Sequence, residues 1–123
     1  MGGQLVLVVE DNEKNMKLFR DVLQAKGYRT LEATSGEQAL ALAAEHGPDL
    51  ILMDIQLPGM DGRAALRRIR KEEQTAGTAI VALTAQAMLG DREAFLADGF
   101  DGYISKPIDI VEFVQTVERY CNE

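Results

Sequence analysis

The sequence predicts an α/β domain, a parallel sheet with helices packed on both of its faces. Three observations lead there. Short apolar runs, Leu5–Val9, Leu50–Met53 and Ile80–Leu83, recur along the chain, and each stops at a polar residue followed by a turn or helix start. Unbroken apolar runs of this length are what strands buried on both faces look like. Stretches with helical apolar spacing separate them. The two patterns alternate strictly, as they must when each parallel strand needs a crossover helix before the next.

In chain order, the run Leu5–Val9 leads into a helix whose apolar stripe is Met16, Phe19, Val22 and Leu23. Gly27 stands where that helix should stop. A weaker strand fits Arg29–Ala33. Ser35 with Gln38 resembles a capping box for a second helix, whose stripe is Ala39, Leu40 and Ala43 and whose end is Gly47-Pro48. After Leu50–Met53, a third helix begins near Gly62; it is short of apolar residues and runs out into the polar loop Glu72–Thr78. Ile80–Leu83 is followed by a fourth helix closed at Gly99, and Asp101–Ser105 fits a weak last strand. Asp109 with Glu112 starts the final helix, which carries the clearest stripe: Ile110, Phe113, Val114, Val117 and Cys121. This makes five strand-then-helix units with no linker, repeat or low-complexity stretch.

Composition narrows the function. At 123 residues the chain has the length of one domain, expected to span 1–123, and 46% hydrophobic residues give it an ordinary core. Thirteen Lys and Arg against 20 Asp and Glu leave a net charge of −7. That balance argues against nucleic acid and anionic membranes as partners. The single cysteine, Cys121, excludes an internal disulfide and a Cys-cluster zinc site. No apolar run approaches the ~20 residues of a membrane span. No secretory signal is present, and although Met1-Gly2-Gly3 opens like a myristoylation signal, position 6 is Val. A cytoplasmic protein is expected.

In a doubly wound sheet, ligands sit beyond the carboxyl ends of the strands. Those ends read Glu10-Asp11-Asn12, then Asp54, then Thr84-Ala85, then Ser105-Lys106-Pro107. If the first and third strands are neighbours, three carboxylates meet at one edge. Like charges so placed repel unless compensated. A hard divalent cation, which takes oxygen ligands, is one compensator, and Lys106 is another. Each signal also has a plainer reading. Glu10-Asp11-Asn12 can cap a helix. Thr84 suits any strand, Lys106-Pro107 any turn, and Tyr103 half-buried packing. Gly59 and Gly62 around Pro58 indicate a loop. His46 fits a helix end with no partner that suggests chemistry. Asp54 is harder to explain structurally, because a carboxylate after four apolar residues is costly unless it is paired or used.

Taken together, Glu10-Asp11, Asp54 with Pro58 and Gly62 downstream, Thr84-Ala85, and Tyr103 three residues before Lys106-Pro107 resemble the receiver domain of two-component response regulators. The likeness covers essentially the whole chain. The stretches from Val9 to Phe19 and from Ile51 to Pro58 are similar to DivK-type single-domain regulators of the bacterial cell cycle, wording that receivers of hybrid histidine kinases share in part. The resemblance implies a flavodoxin/CheY-like sheet of order 2-1-3-4-5 and a cis Lys106-Pro107 bond. It implies that Asp54 accepts a phosphoryl group from a sensor histidine kinase or phosphotransfer protein. Mg²⁺ would be held by Asp11, by Glu10 through water, by Asp54 and by the backbone carbonyl of Gln56. Lys106 would pair with the phosphoryl group and Thr84 would hydrogen-bond it, with Ala85 small enough to let the loop shift and Tyr103 turning inward. Gln56 and Gln86 would tune the lifetime of the product. Partners would read helix four, strand five and helix five, including Ala87–Ala97 and Tyr103–Glu112. Such a protein is a signalling switch that catalyses only its own phosphorylation and dephosphorylation. With no output domain in view, it would act by binding other proteins or passing the group onward.

Other readings stay open at this level. A small aspartyl phosphohydrolase of the haloacid-dehalogenase type would also use a strand-end Asp with Mg²⁺, but its acid/base Asp would stand where Gln56 does. A flavodoxin-like FMN carrier would need a Ser/Thr/Gly-rich loop where Glu10-Asp11 stand. A pseudo-receiver that binds without phosphorylation would need no such set of groups. The start at Met1 and the end at Glu123 favour a stand-alone chain over a receiver cut from a hybrid kinase.

Overall fold

The computed structural model describes residues 3–57, 59, 62–73, 75–85 and 91–121, apart from the side chains of 91 and 92. Met1, Gly2, Pro58, Gln86, residues 87–90 and Glu123 therefore lie outside the described residues. The elements are β1 Leu5–Val9, α1 Glu13–Ala25, β2 Arg29–Ala33, α2 Gly36–His46, β3 Leu50–Asp54, α3 Gly62–Lys71, β4 Ala79–Thr84, α4 Asp91–Asp98, β5 Gly102–Ser105 and α5 Ile110–Cys121. All strand pairs are parallel, and the order is β2-β1-β3-β4-β5. The anticipated fold class, strand order and five alternating units all hold.

The apolar runs explain the layering. Side chains alternate across a strand, so each run serves two cores at once. Val6, Val8, Leu50, Leu52, Val81 and Leu83 face α1 and α5, where they meet Met16, Phe19, Leu23, Phe113 and Val117. Leu7, Val9, Ile51, Met53, Ile80 and Ala82 face the other side, where they meet Ala39, Ala43, Ala65, Leu66, Ile69 and Phe95. Full burial of each large side chain contributes about 1.5–3 kcal/mol.

Local signals set the helix ends. The Asn12 side chain accepts from Asn15 N at 3.0 Å and starts α1. Ser35 caps α2 through Gln38 N at 3.2 Å, while the Gln38 carboxamide oxygen accepts from Thr34 N rather than from Ser35 itself. Asp109 caps α5 through Glu112 N at 3.1 Å. Gly47 ends α2 at φ 58°, a left-handed position that glycine takes without a Cβ penalty.

Two details depart from the sequence reading. Ile110 was expected on the buried stripe of α5 but is 49% exposed, because it is the first residue of the helix and precedes the turn that reaches the sheet. The sparse stripe of α3, Ala65, Leu66 and Ile69, is fully buried, so few apolar residues suffice where the helix lies close to the sheet.

Candidate functional site

Register brings the strand-end residues together. β3 lies between β1 and β4, with Val9 opposite Met53 and Asp54 opposite Leu83. Thr84 is paired with Ser105, which puts Lys106 just past the same edge. The result is a cavity of about 400 Å³ lined by Glu10, Asp11, Asn12, Asn15, Asp54, Ile55, Gln56, Thr84, Ala85 and Lys106. Glu10, Asp54 and Thr84 are buried, whereas Asp11 and Ala85 are exposed.

The acids are held by few contacts. Lys106 Nζ donates to Glu10 Oε1 at 2.8 Å and to Asp54 Oδ2 at 3.1 Å. The second oxygen of Asp54 accepts from Gln56 N at 2.9 Å, and that of Glu10 accepts from Asn12 N at 3.3 Å. Each oxygen of Asp54 thus accepts one hydrogen bond, which fixes the direction of the carboxylate. Burial pushes the Glu10 carboxyl up to about 7; its bond to Asp54 adds to the rise, and Lys106 opposes it. For Lys106, burial works against the charge, but the hydrogen bonds and charges of Glu10 and Asp54 outweigh it and hold the ammonium above its usual value.

One carboxylate oxygen from each of Glu10, Asp11 and Asp54 lies within 4.8 Å of the others. One lysine cannot neutralise three such groups. An all-oxygen donor set open to the cavity fits a hard divalent cation that keeps part of its water shell.

Backbone geometry supports the same spot. The Lys106-Pro107 bond is cis, as anticipated, and Lys106 N donates to the Thr84 carbonyl at 2.7 Å. Pro107 itself is exposed. Gly62 N donates to the Ile55 carbonyl at 2.9 Å. A Cβ on Gly62 would collide with the Asp54 carbonyl oxygen and lie 2.8 Å from Ile55 Cα, so only glycine fits where α3 meets the end of β3. Sequence reading put Gly62 in a loop and at the start of the third helix; it is the first residue of α3, and its close approach to β3 is something no local pattern reveals. Tyr103 is half-buried, as expected, with its ring 5.8 Å from that of Phe95. Asn15 also lines the cavity and was not anticipated. Its signal was available, because it stands in the first turn of α1, directly after the Glu10-Asp11-Asn12 strand end.

No helix among the described residues is long and apolar enough to cross a membrane.

Known proteins share this architecture. Residues 6–118 match the family model described as the response regulator receiver domain. The polar-differentiation response regulator DivK of Brucella ovis is 48% identical over 118 residues, 96% of each chain. Among solved structures, the receiver domain of a Pseudomonas aeruginosa PAO1 sensor histidine kinase superposes with a TM-score of 0.90 at 38% identity, covering 99% of this chain and 100% of that one. It was solved with a magnesium ion coordinated in its active-site cleft. The receiver domain of the Saccharomyces cerevisiae response regulator Ssk1, crystallised with the histidine phosphotransfer protein Ypd1, gives a TM-score of 0.88 at 29% identity, with 98% and 90% covered. The sheet order, the buried acids at its edge and these likenesses agree: the chain belongs to the response regulator receiver domain family, whose members are signalling switches.

Proposed function

We propose that this chain accepts a phosphoryl group on Asp54 from a sensor histidine kinase or phosphotransfer protein, and that the modified form presents an altered α4–β5–α5 face to protein partners. The observation that carries the reading is Asp54 itself, a buried carboxylate gripped by Lys106 and Gln56 N at the mouth of an acidic cavity. The likeness to DivK supports a role in bacterial cell-cycle signalling, and the Ssk1 complex supports a phosphohistidine donor. A cytoplasmic location is part of the same reading.

Phosphoryl transfer needs an in-line nucleophile and positive charge on the spreading equatorial oxygens. Asp54 is the nucleophile. Its oxygen forms the new O–P bond as the N–P bond of the donor phosphohistidine breaks and the imidazole leaves. Lys106 moves from the carboxylate to a phosphoryl oxygen. Asp11, Asp54 and the Gln56 carbonyl, with Glu10 acting through water, would hold a Mg²⁺ ion, which would supply electrostatic stabilisation of that charge. The product is an acyl phosphate. Attack by water releases inorganic phosphate and regenerates the carboxylate, so the switch resets itself. Thr84 hydrogen-bonds the phosphoryl group, Ala85 leaves room for the loop to follow, and Tyr103 takes up the vacated space.

Intact mass after incubation with acetyl phosphate tests this. One phosphoryl adduct should appear, should require Mg²⁺, and should be lost in Asp54→Asn. An adduct that survives Asp54→Asn, or none in a folded chain with bound metal, sinks the assignment. Thr84→Ala should still take the adduct while losing affinity for whatever partner the phosphorylated form captures.

The sensor-kinase receiver among the likenesses favours one further reading, in which the domain relays its group onward. Transfer from the phosphorylated chain to a histidine phosphotransfer protein within seconds would support the relay.

A further inference from the structure

The first turn of α3 is tied to the strand that carries Asp54. Gly62 N bonds the Ile55 carbonyl, and the bare Cα of Gly62 lies against the Asp54 carbonyl. The next residue, Arg63, reaches away from the cavity to α4. Its Nε donates to Asp98 Oδ2 at 2.7 Å, and its guanidinium carbon stands 5.2 Å from the centroid of the Phe95 ring. Phe95 is buried, and its ring packs edge-on to Phe100 and against Tyr103. One side chain, a single residue away from the backbone that abuts Asp54, therefore holds the ring on which Tyr103 rests.

We infer that Arg63 is a positioning residue for phosphoryl acceptance: it stabilises the arrangement of Phe95 and Tyr103 that belongs to unmodified Asp54, and so opposes the change that phosphorylation requires. This rests on the receiver reading above. The arrangement in hand is the unmodified one, because Lys106 grips the Asp54 carboxylate directly. A contact made in one arrangement and lost in another biases the equilibrium toward the first, and any group bound at Asp54 works against that bias.

The chemistry suits a reversible latch. Both members of the ion pair are partly open to solvent, 37% and 27% exposed, so water can replace the bond at modest cost. The planar guanidinium serves the carboxylate and the aromatic face at once, which lysine cannot do equally well. Farther along α3, Arg70 bonds the Gly99 carbonyl and Asp101, so the carboxyl end of α4 stays anchored if Arg63 lets go.

The experiment compares wild type, Arg63→Met, Arg63→Lys and Asp98→Asn. It measures affinity for beryllofluoride with Mg²⁺, a phosphoryl mimic, and the NMR positions of the Tyr103 ring and the α4 amides in the free proteins. Arg63→Met should bind the mimic about fivefold more tightly, the low end of couplings between sites. Its free Tyr103 and α4 signals should move toward the positions wild type reaches with the mimic bound. Arg63→Lys should fall between, and Asp98→Asn, which keeps the guanidinium over Phe95, should shift the same way by less. Affinities that stay equal, with signal changes confined to the neighbours of residue 63, would overturn the latch and leave the receiver reading intact. Failure of wild type itself to bind the mimic would overturn both.

Discussion

α1 and α5 meet on one face of the sheet through Phe19 and Phe113, stacked with centroids 5.2 Å apart and fully buried among apolar neighbours. On the opposite face, α3 and α4 are joined at their rim by arginines: Arg63 to Asp98 and Phe95, and Arg70 to the Gly99 carbonyl and Asp101. The first joint is apolar, close-packed and dry. The second is polar and partly wet. Close-packed cores resist displacement, because any gap loses contacts outright. Hydrogen bonds to half-exposed carbonyls and carboxylates exchange with water at small net cost. The two joints therefore divide the work, with α1–α5 holding the fold and α3–α4 able to rearrange without unfolding it. Thr84 and Tyr103 both stand on the rearranging side, on β4 and β5.

Breaking the dry joint should cost the most. Phe113→Ala removes half of the stack and should lower stability by about 3–5 kcal/mol, read as a shift of the urea midpoint. Those molecules that remain folded should still take a phosphoryl group from acetyl phosphate. A small loss of stability, or loss of phosphorylation in a folded variant, would erase the contrast.

Breaking the wet joint should cost less and change more. Arg70→Ala removes bonds to the Ala76, Thr78 and Gly99 carbonyls and the pair with Asp101. Partial solvent access limits the loss to about 1–2 kcal/mol. Hydrogen exchange in α4 and at the start of β5 should speed up while α1 and α5 stay protected.

The site itself sharpens the picture through pH, with an effect that changes gradually over a window rather than at one break. The Glu10 carboxyl is raised in the folded chain to about 7 from 4.5. The folded state then holds more protons than the unfolded one between those values, so the metal-free protein should be most stable below that window and lose stability as pH rises through it. Lys106, held above its usual value, keeps its contribution until far more alkaline pH. The slope should amount to at most about one proton. Glu10→Gln should flatten it, and Mg²⁺ should restore stability mainly at the alkaline end, where the carboxylates are free to bind. A stability that rises with pH between 5 and 7 in the absence of metal would contradict the burial account.

Much of this was legible in the chain. The strands announced themselves because parallel strands buried on both faces need unbroken apolar runs. Asp54 stood out because a carboxylate after Ile51-Leu52-Met53 has no cheap structural use. Glu10, Asp11, Thr84 and Lys106 could be placed together once the fold class was in hand, since strand ends converge by topology. Other features rest on distances that sequence spacing does not encode. No sequence signal marked Arg63 or Arg70, whose partners Asp98, Gly99 and Asp101 lie 29 to 35 residues away. Gly62 resembled any loop glycine until the Asp54 carbonyl was seen against it. Ile110 matched the helical period of α5 but stood too near its start to be covered.

The most direct test of the account is hydrogen exchange along the whole chain, compared between free protein and protein phosphorylated by acetyl phosphate with Mg²⁺. Exchange should change around Asp54 and Thr84, in α4 and in β5, while β1, α1 and the second half of α5 keep their protection. Change spread evenly over both joints, or concentrated between α1 and α5, would contradict it.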